Sequence, residues 1–140
     1  MRVFPDTNIL ISAFLSHGTC YRLVQHLIGR PSHELLIGEV VLAEARHKLR
    51  RKIKAPEEAI DLFTEMLLSG GVASPPPDRL PLIAVRDPDD AWVLASALHV
   101  GADVLVTGDR DLLDVADAVD ELLITTPRML WDQLQSEATS

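Results

Sequence analysis

The chain has 140 residues, 47% hydrophobic and 4% aromatic, with a formal net charge of −8. That is enough chain for one domain, residues 1–140, around an aliphatic core. The single cysteine, Cys20, excludes a disulfide framework and a Cys-based zinc site, and fits a reduced thiol in the cytoplasm.

The first elements carry a question. "RVFP" predicts a short strand that ends, unusually, in Asp6, Thr7 and Asn8. Either Asp6 caps the next helix or the strand delivers a carboxylate to a site. Helices are predicted at about 7 to 15 and 20 to 29, then "ELLIG" as a second strand. A helix over 39–53 places Leu42, Ala45, Leu49 and Ile53 on one face. The next, 56–69, has Pro56 in its first turn and Glu57 and Glu58 behind it. It buries Ile60, Phe63 and Leu67 and stops at Gly70-Gly71.

"VAS" reads as a third strand, and "SPPPDRLP" (74–81) as a stiff connection within one domain. The following helix has strong start signals: Asp87 as cap, Pro88 first, acids at 89 and 90, with an end at Gly101. "DVLVT" and "LLITT" are further strands, and Pro127 opens a terminal helix through Leu134. The run "AWVLASALHVGADVLV" is broken by His99, Gly101 and Asp103, so no membrane span is expected. Alternating strands and helices predict an α/β fold: a three-layer α/β/α sandwich with a central, mainly parallel sheet.

In such sheets ligands collect at the carboxyl ends of the strands. Asp6 and Asp109 follow strands there, and Glu44 and Asp90 lie in the first turns of helices that start on the same edge. Four converging carboxylates repel one another unless a hard cation such as Mg²⁺ or Mn²⁺ joins them. Each acid also has a plainer reading. Asp87 is a helix cap and Asp89 a dipole partner, and Asp90 taken alone would be one too. Glu44 can pair with Lys48 at i, i+4. Asp109 suits a turn, and Asp111 can cap a short helix beginning at Leu112. The joint placement favours the metal.

At these residues the sequence resembles the PIN-domain ribonucleases, above all the VapC-like toxins of toxin–antitoxin pairs. "DTNILISAFLSHG" is similar to the opening motif, and "LAEARHKLRRKI" to the helix carrying the second acid. "DPDDAWVLASALHVGADVLVTGDRDLL" is similar to the most specific block, and "ITTPRMLWDQL" to the closing strand and helix. The resemblance implies metal ligands and catalytic acids at Asp6, Glu44, Asp90 and Asp109. Asp111 would share or replace the last role, and Glu39 fits the second position less well than Glu44. It implies supporting roles for Thr7, Asn8 and Thr107. Pro5 departs from the family's apolar residue and must sit where no strand N–H is needed.

The implied activity is hydrolysis of RNA phosphodiesters with Mg²⁺ or Mn²⁺. The implied partners are an RNA substrate, a cognate antitoxin and a second copy in a homodimer. Net charge −8 argues against passive nucleic-acid binding, but a metal offsets the repulsion between acids and phosphate. Six of the 13 basic residues fall between 46 and 54. Arg46, Arg50 and Arg51 are candidate RNA contacts, or cations that favour their helix's C-terminus. A receiver or haloacid-dehalogenase-type phosphatase would need a late lysine, and Lys48, Lys52 and Lys54 all lie early. The other alternative is a non-catalytic PIN-like domain that binds RNA or protein.

Overall fold

Short runs of consecutive apolar residues, rather than alternating ones, are what strands covered on both faces require. The computed structural model describes residues 1–80 and 85–139. In chain order it has β1 (Arg2–Pro5), α1 (Thr7–Leu15), α2 (Thr19–Ile28), β2 (Glu34–Gly38), α3 (Glu39–Arg51) and α4 (Glu57–Gly70). Then come β3 (Val72–Ser74), α5 (Pro88–His99), β4 (Val104–Val106), α6 (Arg110–Leu113), a 3₁₀ turn at Ala116–Ala118, β5 (Leu123–Thr125) and α7 (Pro127–Thr139).

The strands form one sheet in the order β3-β2-β1-β4-β5, and every described pair is parallel. Val3 and Phe4, Leu35 to Ile37, and Val104 to Val106 are buried without a break. Successive side chains point to opposite faces, so helices must cover both, giving a three-layer α/β/α sandwich. The chain builds outward from β1 through β2 to β3, then returns to place β4 on the other flank of β1. That reversal opens a crevice between the carboxyl ends of β1 and β4, the usual ligand position in such sheets.

Pro5 sits in the central strand without leaving a bond unmade. Asp103 N–H donates to Arg2 O and Asp6 N–H to Val106 O, so even-numbered residues of β1 face β4. Pro5 therefore faces β2, whose pairing with β1 ends at Val3↔Leu35. The glycine ending β2 also matters for position. A Cβ on Gly38 would lie 2.6 Å from Phe4 Cζ, so only glycine lets α3 start hard against β1.

Several boundaries move from their predicted places. Helix α3 ends at Arg51, because Lys54 turns to a positive φ of 59° and Ala55 N–H closes back on Leu49 O. Its buried face is Val41, Ala45 and Leu49, with Leu42 half-buried and Ile53 exposed. Pro56 is the N-cap of α4 rather than part of its first turn. Phe63 is half-buried and stacks edge-on against Phe14, while Ile60 and Leu67 are buried as expected. Asp109, not Asp111, caps the short α6, which begins at Arg110. Helix α7 continues past Leu134 to Thr139. Pro81, the last residue of the proline-rich connection, lies outside the described residues. No described helix is long and apolar enough to cross a membrane.

Candidate active site

Asp6 leaves β1 and caps α1, buried to 3% exposure. Both its oxygens are held. Thr7 N–H donates to Oδ1 at 2.7 Å and the Thr107 hydroxyl donates to Oδ2 at 2.8 Å. Burial pushes this carboxyl above its ordinary range, the two hydrogen bonds pull it back, and the charges of Asp109 and Glu44 add to the upward push.

Thr107 is the joint between strands. It follows β4 directly, is fully buried, and its hydroxyl also accepts the Asp109 N–H at 2.9 Å. One hydroxyl thus sets Asp6 and the start of α6 relative to each other. Asp109 Oδ1 then accepts the Asp111 N–H at 2.8 Å as the cap of that helix. Turn chemistry and a place in the acidic cluster are both true of Asp109, because capping engages one oxygen.

Asp90 lies in the first turn of α5, 8% exposed, and its Oδ2 has no hydrogen-bond partner. Burial comes first in pushing its carboxyl up to about 7, followed by the charges of Asp109, Asp6 and Asp87 and a hydrogen bond shared with Asp109. A buried, orphaned carboxylate oxygen among other carboxylates is costly unless a cation meets it. Oxygen donors alone, anionic and clustered, suit a hard ion such as Mg²⁺ or Mn²⁺.

Glu44 reaches the cluster from α3 but is anchored at its rim. Thr7 Oγ1 donates to Oε2 at 3.2 Å, and Lys48 Nζ lies 3.0 Å from Oε1. The i, i+4 pair and the approach to Asp6 therefore coexist. Asn8 is exposed and, among the described residues, makes no side-chain hydrogen bond, so it does not hold Asp6 as Thr7 does. Glu39 is exposed. Arg50 Nε donates to Glu57 Oε2 at 2.8 Å, and Arg46 NH2 donates to Asp61 Oδ1 at 3.0 Å. These two arginines tie α3 to α4, whereas Arg51 has no acidic partner among the described residues.

Two residues at this edge were not anticipated as members of the site. Asp87 caps α5 through Oδ1, which accepts the Asp89 N–H at 2.9 Å, and it also faces Asp90 and Asp111. Among the described residues, Asp87, Asp90 and Asp111 are the trio of potential ligands whose oxygens all lie within 4.8 Å of one another. Asp6, Asp90 and Asp109 are coupled by charge, with Asp90 common to both groups. Arg86, just before the cap, places NH2 2.7 Å from Asp111 Oδ1. The capping signal at Asp87 accounted for it completely in sequence, and nothing local marks Arg86.

A family model described as the PIN domain matches residues 2–111. Among solved structures the chain is similar to a chain of the VapBC2 complex from Rickettsia felis bound to a DNA fragment from its promoter. Identity is 19%, with 90% of this chain and 98% of that one covered and a TM-score of 0.64. No curated protein matches.

Proposed function

This chain belongs to the PIN-domain family, and from that premise we propose that it is a Mg²⁺- or Mn²⁺-dependent endoribonuclease, the toxin of a toxin–antitoxin pair. The observation that carries the reading is the buried Asp90 carboxylate with an unpartnered oxygen, between Asp6 and Asp109 at the crevice of the sheet. Asp6, Asp90 and Asp109 would hold the ion, with Glu44 at the rim. Such an ion supplies Lewis-acid polarisation of the phosphodiester and a more acidic water for in-line attack.

The chain's own residues do the positioning. Thr107 and Thr7 clamp Asp6 by both oxygens, which fixes the direction of its lone pairs. Lys48 and Thr7 hold Glu44 back from the centre and leave room for a phosphate. Arg51 is the candidate of the basic helix for a backbone contact, since Arg46 and Arg50 are engaged with α4. A cognate antitoxin would cover the acidic crevice with a cation of its own, and a second copy of the chain completes the toxin in this reading.

The test is cleavage of a single-stranded RNA by wild type and by Asp6→Asn, with Mn²⁺ and with EDTA. Cleavage lost in both Asp6→Asn and EDTA supports the enzyme. Equal activity in wild type and variant rules the assignment out, and RNA binding without any cleavage favours the non-catalytic alternative.

A further inference from the structure

We infer that Asp87 and Asp111, with Asp90 shared, form a second divalent-cation subsite at the outer lip of the crevice, for which Arg86 competes in the metal-free chain. This rests on the proposed metal-dependent function and assigns it a second ion. The three carboxylates come from the cap of α5, its first turn and the first turn of α6, and their oxygens lie within 4.8 Å of one another. Oxygens on opposite sides of a Mg²⁺ or Ca²⁺-sized ion stand roughly 4 to 5 Å apart, so one ion can span the trio with small side-chain rotations.

A cluster of acids alone would not suffice, since exposed acids commonly stand together without a ligand. Here one member is buried: Asp90 is 8% exposed, its Oδ2 has no partner, and its carboxylate belongs to this trio as well as to the Asp6 side. A shared carboxylate between two ions is the arrangement that lets a pair of cations flank one phosphate. The molecule already places a cation at the lip. Arg86 NH2 is 2.7 Å from Asp111 Oδ1, and with 84% of its side chain exposed it is free to swing away. The outer subsite is therefore the weaker of the two, and its occupation releases a guanidinium beside the crevice, where a phosphate would meet it.

The experiment is titration with MnCl₂ by calorimetry, paired with anomalous diffraction from Mn²⁺-soaked crystals. Wild type, Asp6→Asn, Arg86→Gln and the double variant Asp87→Asn with Asp111→Asn are compared. Asn caps a helix as well as Asp does, so the double variant keeps the start of α5, which a melting curve verifies. Wild type is expected to bind two ions per chain. The double variant should bind one, with inner affinity within about 3-fold of wild type. Arg86→Gln should tighten the weaker site roughly 5- to 10-fold, the scale of removing one competing charge. One ion in wild type, kept in the double variant and lost in Asp6→Asn, overturns the second subsite and leaves the proposed function standing. No ion in any form overturns the metal reading on which both rest.

Discussion

Replacing Asp90 by Asn should stabilise the metal-free protein while abolishing its metal response. The folded carboxyl sits at about 7 against an ordinary 3.8, which corresponds to at most about 4 kcal/mol against the ionised form. The sign follows from the proton count. The folded state keeps a proton that the unfolded state releases, so stability is highest below about pH 4. It falls as pH rises towards 7 and is level above that. Asn removes the charge but leaves a buried amide without a partner, costing about 1–3 kcal/mol. The net expectation at pH 8 in EDTA is a gain of about 1–3 kcal/mol, or a Tm higher by roughly 3–10 °C.

By pH 5.5 about half of the wild-type penalty is relieved, so the gap should shrink accordingly. Saturating Mn²⁺ should reverse the order, because only wild type gains binding free energy in its folded state. Differential scanning fluorimetry at pH 5.5 and pH 8, with EDTA and with Mn²⁺, reads all of this. A variant less stable than wild type at pH 8 in EDTA would refute the reasoning. So would a gap that ignores pH.

Other substitutions probe the scaffold. Thr107→Val keeps the shape but removes the hydroxyl joining Asp6 to the Asp109 N–H. It should cost about 1–3 kcal/mol and weaken Mn²⁺ roughly 10- to 100-fold by calorimetry, with Thr107→Ser restoring most of the affinity. Gly38→Ala forces a methyl to within 2.6 Å of Phe4 Cζ, so urea denaturation should show a loss of about 1–3 kcal/mol. No loss would mean that β1 and β2 are free to part. Lys54→Gly relieves a positive φ of 59° at the end of α3 and should raise stability by about 0.5–1 kcal/mol in the same assay. A decrease would show that the lysine side chain has a stabilising contact.

Much of the architecture was readable because the local signals agreed. Apolar runs too short for helices marked the strands, and Asp87-Pro88 marked the start of α5 to the residue. The misplaced boundaries share one cause. Helix ends depend on where the chain next has to go, and the turn at Lys54 and the cap at Asp109 answer to tertiary packing rather than to composition. The same holds for the basic stretch. Nothing in "RHKLRRKIK" tells which guanidinium groups face α4, yet Arg46 and Arg50 are engaged there.

What the amino-acid order determined by itself was the set of elements, their alternation and the delivery of carboxylates to one edge of a parallel sheet. These follow from short-range rules: side-chain period, capping and the direction of parallel strands. What only the folded chain decided was which oxygens face each other. Thr107 meets Asp6 across 101 positions, and Asp87 and Arg86 join the crevice. Charges interact through space, within a few ångströms and in a poorly solvated setting, so their partners emerge only when the strand order brings β1 beside β4.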